Sequence, residues 1–396
     1  MRRESLDQFL MHVLQPLARA EDLLARLDTR VAHSPCGDGF RARQHFADAA
    51  AALWLDGELV HVEELVLHDG RMDARAPTHE ITRAHDVLRT RRRIADRAPG
   101  WALSSGGLAA LRRREGEGGA APTVPKAELL EGDAGTLGAE AAENDALADE
   151  LAEIDAVLAR AGQSLAGAGQ EPTGRDEGFA PAVAPWPLPA AEPDPGQAEV
   201  SPAAFALLRD PDHDEEALVE QWRARLVALK GEELPPVVTA FLAWDAWETL
   251  RPLDRQHWLG PLLVAALLRR CDKAKAHLPA LAVGLREVPR AERRSPDPGV
   301  RCRAFLDALE KTARAGLKEI DRLELATTQM ERRLKTKRRH SHLPHLAQLV
   351  LSRPVVTTAL IAAELKVTQR GALNLIGELG VREITGRGRY RAWGVL

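Results

Sequence analysis

Apolar residues recur at three- and four-residue steps along most of the chain, which is the spacing of one face of an α-helix. In residues 5–27 the repeat runs through Leu6, Phe9 and Val13, and it stops before a Gly- and Pro-marked break at 34–39. The pattern predicts further helices over 46–55, 78–95, 215–229, 235–250, 260–270 and 302–330. Residues 260–268 are almost wholly apolar, so we expect that helix to lie in the centre of a core.

Charge is strongly segregated along the 396 residues, although the net charge is only −4. Residues 115–200 carry 18 acidic and 3 basic side chains, whereas residues 331–396 carry 4 acidic and 13 basic ones. The acidic segment is rich in Pro and Gly and cannot bury enough apolar surface to offset its ordering entropy. We therefore predict an N-terminal helical region (1–114), an acidic Pro/Gly-rich linker with one helix at 140–160 (115–200), a helical core (201–335) and a C-terminal domain (340–396).

Several kinds of chemistry have no support in the sequence. The three cysteines lie far apart, at 36, 271 and 302, which excludes zinc ribbons and thioredoxin motifs. The chain has neither a phosphate-binding G-x-x-x-x-G-K-[ST] loop nor a G-x-S-x-G nucleophile motif, and residues 104–107 are predicted to form a loop. The histidines at 340, 342 and 345 lack a nearby carboxylate or thiol partner. We expect no enzyme activity, no catalytic residue, no cofactor, no metal and no membrane span, in a cytoplasmic protein.

The last fifty or so residues have the pattern of a winged helix-turn-helix. Helices are predicted at 344–352 and 357–365, the second capped by Thr357 or Thr358, and at 369–379, where Thr368 caps the start and Gly380 ends the helix. The core face of this third helix is predicted to consist of Ala372, Leu375, Ile376 and Leu379. Strands at 381–384 and 390–395, joined by a Gly-containing turn, form the wing as a small β-hairpin.

This arrangement predicts binding to double-stranded DNA. Arg370 and Asn374 lie on the polar face of the third helix, where they can bond guanine or adenine edges in the major groove. The candidate DNA-binding residues are Thr368, Gln369, Arg370, Asn374, Arg387, Arg389 and Arg391. The three wing arginines can neutralise phosphates or enter the minor groove. Winged helices also dock onto proteins, so an adaptor that touches no DNA is an open alternative, as is a homodimer. The small-molecule effector is not identified.

The region upstream of the winged helix is similar to a known motif. In Fic-domain proteins with a C-terminal winged helix, one core helix runs into H-P-F-x-x-G-N-G-R and then an apolar helix. This chain has R-P-L-D-R-Q-H-W-L at Arg251–Leu259, followed by the apolar residues 260–268. The resemblance implies a Fic-like helical core. It also implies that the chemistry is lost, because Arg251 replaces the motif histidine and an arginine cannot accept a proton.

Two other features of the Fic family are altered as well. Gln256 and Trp258 replace the glycines whose backbone amides cradle ATP phosphates in that family. Ala52–Gly57 is similar to the inhibitory S-x-x-x-E-G segment, but its Ser and Glu are replaced by Ala52 and Asp56. A Fic-like nucleotidyl or phosphoryl transferase with an altered site, using His257 as base, is the alternative function.

A closer resemblance covers about two thirds of the chain and spares the acidic linker. Residues 54–67, 77–93, 251–270 and 346–393 resemble a family of uncharacterised proteobacterial proteins with a helix-turn-helix DNA-binding domain. That resemblance implies DNA binding and no assigned reaction. We therefore predict a mainly α-helical DNA-binding protein, a transcriptional regulator with a catalytically dead Fic-like core and a C-terminal winged helix-turn-helix.

Overall fold

The computed structural model describes residues 3–72, 76–112, 214–229, 231–335, 342–384 and 391–395, with side chains from residue 13 onward. The acidic linker and its predicted helix at 140–160 lie outside the described residues. Residues 1–117 and 209–396 group into one unit, so the N-terminal region, the core and the C-terminal domain pack together.

The N-terminal region is built from helices around a central α2. Thr78 caps α4, since its side-chain oxygen accepts a hydrogen bond from the Ile81 amide. A single 3-10 turn, Trp101–Leu103, precedes α5. The helices are α1 (Arg3–His33), α2 (Gly37–Leu55), α3 (Val62–Asp69), α4 (His79–Asp96) and α5 (Ser105–Arg112).

The core continues the helical packing. The predicted apolar helix forms α8, which is buried on all sides through Leu268 and packs against α7. The longest helix, α11, packs along α1 and against α9. The helices are α6 (Glu215–Leu229), α7 (Pro236–Leu250), α8 (Leu259–Arg270), α9 (Leu281–Arg286), α10 (Arg290–Arg293) and α11 (Pro298–Leu334).

The C-terminal domain has three helices and a small antiparallel sheet. Its strand order is β1-β3-β2. Trp393 of the central strand β3 pairs with Val356 of β1 on one side and with Glu383 of β2 on the other. The sequence predicted the hairpin of β2 and β3 but missed β1, because two residues leave no alternating pattern to detect. The elements are α12 (Leu343–Ser352), β1 (Val356–Thr357), α13 (Thr358–Leu365), α14 (Gln369–Leu379), β2 (Arg382–Glu383) and β3 (Ala392–Gly394).

The fold class is therefore as predicted, mainly helical with a small sheet near the C-terminus, but three local predictions are wrong. Residues 105–107 belong to α5 rather than to a loop. Helix α1 continues six residues past its predicted end, and the break before α2 shrinks to residues 34–36. Close packing accounts for the early start of α2. Gly37 and Gly39 lie so near the carbonyl oxygens of Val31 and Leu351 that no side chain would fit at either position. No helix in the described part of the chain is both long and apolar enough to cross a membrane.

A buried ion pair joins the N-terminal region to the core. Arg91 on α4 and Asp48 on α2 are both fully buried and bonded to each other. Arg91 also donates to the Leu278 and Pro279 carbonyls, while the other Asp48 oxygen accepts from the Ala282 amide at 2.9 Å. Burial raises the pKa of Asp48 and lowers the pKa of Arg91, so removal from water opposes the attraction between the two charges. The pair thus fixes the start of α9 against two N-terminal helices.

Removing one partner of this pair should destabilise the whole unit. We expect Asp48→Ala to lower the free energy of unfolding by about 3–5 kcal/mol, because Arg91 is left as an uncompensated buried charge. Replacing both partners by apolar residues, Asp48→Leu with Arg91→Met, should cost less than the single change. Urea unfolding followed by circular dichroism measures both. A single variant as stable as the wild type would show that the pair is dispensable.

Candidate nucleic-acid interface

The third helix of the C-terminal domain, α14, is set by three local signals. Lys366 adopts a left-handed conformation, with φ of 53°, and turns the chain between α13 and α14. The Thr368 hydroxyl accepts a hydrogen bond from the Gly371 amide at 3.1 Å and caps the helix start, as predicted. Gly380, with φ of 66°, ends the helix as predicted. Of the two threonines predicted to cap α13, Thr357 is the one that does so.

The two faces of α14 differ sharply in burial. Ala372, Ile376 and Leu379 are buried against the rest of the domain, and Leu375 is only partly buried, although the sequence predicted it in the core face. The opposite face is exposed and carries Gln369, Arg370, Leu373, Asn374 and Gly377. All of the α14 residues predicted to contact DNA therefore share one solvent-facing surface, together with the cap residue Thr368. We call this surface, residues 368–370, 373, 374 and 377, the recognition face.

The wing residue Arg391 is engaged within the sheet. Its guanidinium bonds the Glu383 carboxylate through two nitrogens, at 3.0 and 2.6 Å, and lies over the Trp393 ring. The hydrogen bond from Arg391 lowers the pKa of Glu383. Arg391 was predicted to neutralise DNA phosphate, but its charge is already paired here. The other two wing arginines of the prediction, Arg387 and Arg389, lie outside the described residues.

An ion cluster around Asp69 attaches the winged helix to the N-terminal region. The Asp69 carboxylate, at the end of α3, accepts hydrogen bonds from Arg92 and His85 on α4 and from Arg353, which follows α12. Burial alone would raise the pKa of Asp69, but these three donors outweigh it and hold the pKa well below its usual value. Arg353 and Arg92 also stack on the Phe46 ring of α2.

Two further arginines support this attachment. Arg43 on α2 is buried, pairs with Glu319 of α11 and donates to the backbone carbonyls of Val350 and Arg353. Arg333, near the end of α11, donates to the Leu379 carbonyl at the C-terminal end of α14. These positioning residues cannot be recognised in the sequence, because partners that lie 46 to 310 positions away give no periodic or motif signal. As a result, the orientation of α14 is fixed to the body of the protein.

The predicted Fic-like loop lies at a separate site. Arg251 ends α7 in a left-handed conformation, and residues 252–258 lead into α8, with Pro252 and Leu253 buried. The Trp247 indole donates to the His257 carbonyl, and its ring lies against Gly260 with no room for a side chain there. The imidazole of His257 is 3.1 Å from the Glu248 carboxylate.

A cavity of about 720 Å³ adjoins this loop. Asp56, at the end of α2, lines it together with His257, so the two segments that resemble Fic motifs come together in space. Burial raises the pKa of Asp56, against the attraction of His257 and Arg83. The cationic lining residues are Arg83, Arg251, Arg286, Arg290, Arg293 and Arg294. Across the described ranges, no three His, Cys, Asp or Glu side chains converge as a metal site requires.

The fold and the recognition face define the class of this protein: a helical protein that carries a winged helix-turn-helix DNA-binding domain. Residues 343–396 match the family described as an HTH DNA binding domain. Residues 207–335 match a second family, described as a protein of unknown function, DUF1612.

The uncharacterized protein y4cF of Sinorhizobium fredii is similar over the whole length. It is 41% identical, and the alignment covers 97% of each chain. The chain belongs to the family of this rhizobial protein. A homodimer, which the sequence leaves open, is not supported by these similarities.

Gly377 offers a test of the recognition face that separates binding from folding. A Cβ atom at this helical glycine would meet nothing within 4 Å. We therefore expect Gly377→Leu to stabilise the fold by roughly 0.5–1 kcal/mol through helix propensity. The same side chain should hold the helix away from the base edges and weaken DNA binding by about tenfold or more, equivalent to losing one bidentate base contact.

The matched control is Gly106→Leu in α5. Gly106 is also a helical, exposed glycine with open space around a Cβ atom, and it lies in the N-terminal region. This variant should leave DNA affinity unchanged. Thermal unfolding and fluorescence anisotropy with labelled duplex DNA measure the two properties. Unchanged DNA affinity in Gly377→Leu would exclude this face as the contact surface.

Proposed function

We propose that this protein is a cytoplasmic transcriptional regulator that binds specific duplex DNA sequences through its recognition face. The observation that carries the proposal is the capped helix α14, which exposes Gln369, Arg370 and Asn374 together while Asp69 and Arg43 hold the domain in place. Arg and Asn side chains on such a helix suit bidentate bonds to guanine and adenine edges. A rigid attachment adds precision, because contacts to bases need fixed donor positions.

The second part of the proposal is that the core is a Fic-like scaffold without catalysis. Support comes from the position of Arg251 directly after α7, where Fic-domain proteins have the motif histidine that acts as base. Asp56 also lines the same cavity as His257. A permanently protonated guanidinium cannot act as general base. The side chains of Gln256 and Trp258 occupy the loop where bare amides would be needed. The core then serves to carry and orient the DNA-binding domain.

Sequence selection with the full-length protein and random duplex DNA tests the first part. We expect a defined site to be enriched and its affinity to fall steeply with salt, because phosphate contacts release counterions. Arg370→Ala and Asn374→Ala should each relax the preference at one base pair, with about 1–3 kcal/mol lost per base contact. Selection of no duplex at low salt would favour the protein-docking adaptor instead.

Substitutions in the wing provide a control for the substitutions in α14, because we expect the wing to contact phosphates and not bases. Replacing Arg387 and Arg389 together by Ala should weaken binding to all sequences alike and reduce the salt slope by about two, since each arginine contributes close to one phosphate contact. Sequence preference should stay as it was. A changed preference in this variant would assign base reading to the wing rather than to α14.

A transferase with an altered site is the second candidate, and one observation favours it. His257 lies beside Glu248, and its Nδ1 atom is buried without a hydrogen-bond partner, in a cavity lined by arginines. A carboxylate that orients an imidazole is a common arrangement for a general base. The pair of Glu248 and His257 thus has the chemical groups that proton transfer requires.

Incubation of the full-length protein with labelled ATP and magnesium decides between the two candidates. We expect no labelled product, on the protein itself or on lysate proteins, because the loop lacks its phosphate cradle. Arg251→His alone should not create activity for the same reason. A labelled product that disappears in His257→Ala, with the fold intact by circular dichroism, would overturn the non-enzyme proposal.

A further inference from the structure

One large apolar side chain on the recognition face is exposed to solvent instead of packed into the core. Among residues 342–384 and 391–395, Leu373 is the only large apolar residue that is exposed, at 41%. Along the helix axis it lies between Arg370 and Asn374, and it is outside the buried stripe formed by Ala372, Ile376 and Leu379. Its neighbour Leu375, by contrast, packs against the core.

We propose that Leu373 reads the 5-methyl group of a thymine in the DNA site. This proposal rests on the proposed function and identifies the kind of base pair that the site must contain. In the major groove, thymine is the base that presents a methyl group, and an apolar side chain is the contact that distinguishes it. A leucine at this place matches that single apolar feature among polar base edges.

The spacing along α14 places this contact beside the polar ones. Each residue advances the helix by about 1.5 Å, so Arg370 and Asn374 are about 6 Å apart along the axis, with Leu373 between them. Base pairs stack at about 3.4 Å, so the three side chains can address two or three adjacent base pairs. We therefore expect the thymine next to, or one step from, the purines read by Arg370 and Asn374.

The helix surface next to Leu373 has room for a DNA groove. Gly377 follows one turn later on the same face with open space beyond its α-carbon. The Thr368 hydroxyl is occupied in capping the helix start. Gly377 therefore leaves the helix unobstructed one turn after the leucine. The exposed charges of α14 and of the turn before it are Lys366 and Arg370, which suit a polyanion, and Glu378 near the end of the helix.

The experiment uses the duplex site selected by the full-length protein, with each thymine replaced in turn by uracil. Uracil lacks only the methyl group, so hydrogen bonding is unchanged. We expect one uracil position to weaken binding about fourfold, the value of one buried methyl-sized group. Leu373→Ala should weaken binding to the thymine site by a similar or larger factor, and should bind thymine and uracil versions of that position equally. Leu59→Ala, which truncates an exposed leucine in the N-terminal region, should retain the fourfold difference.

Each other outcome overturns the proposal in a recognisable way. If no duplex is selected, the proposed function fails, and the inference fails with it. If a site is selected but every uracil position is tolerated, or Leu373→Ala keeps the full uracil sensitivity, only the assignment to Leu373 fails. If Leu373→Ala changes the sedimentation coefficient of the free protein, the leucine is a contact between copies of the chain. The thermal unfolding midpoint of Leu373→Ala should equal that of the wild type, which excludes a folding defect as the cause of weaker binding.

Discussion

The buried pair of Arg91 and Asp48 is the constraint on which the arrangement of the other elements depends. Both side chains are out of water, so the hydrogen-bond partners they have come from within the protein. Those partners come from three places in the chain: α2, α4, and the segment from Leu278 to Ala282 that starts α9. The pair therefore allows one relative position of the N-terminal region and the core. Apolar packing alone would tolerate small shifts between these helices.

From that fixed frame, α2 extends the constraint to the DNA-binding domain. Its N-terminal half touches Leu351 through Gly39 and holds the end of α12 through Arg43. Its C-terminal end, at Asp56, borders the arginine-lined cavity. The two ends are about 25 Å apart, at 1.5 Å per residue. One helix thus contacts both the cavity of the core and the attachment site of the winged helix. Because a close-packed interior transmits strain, a displacement at one end of α2 should reach the other end.

The sequence predicts local features well and long-range ones poorly, for a physical reason. The caps at Thr78, Thr357 and Thr368 and the stop at Gly380 depend on neighbours within four residues, so they can be predicted from the sequence. The exposed face of α14 follows from helical periodicity in the same way. By contrast, the ion cluster of Asp69, Arg92 and Arg353 joins residues up to 284 positions apart, and each appears in the sequence as an ordinary surface charge. Strand β1 and the pairing of Arg391 with Glu383 likewise exist only once the sheet has formed.

The contrast between the two candidate sites favours DNA recognition over catalysis. At the recognition face, charged and apolar groups point outward with the backbone already satisfied by caps, so nothing must rearrange for a groove to be read. Around the loop of residues 251–258, several polar side chains instead contact one another: His257 with Glu248, and Arg83 with Asp56 and Glu58. A reacting site needs groups whose charge is available to the substrate. These contacts connect the ends of α2 and α7 with α4 and with the loop, which supports the proposal that the core positions the DNA-binding domain rather than catalysing a reaction.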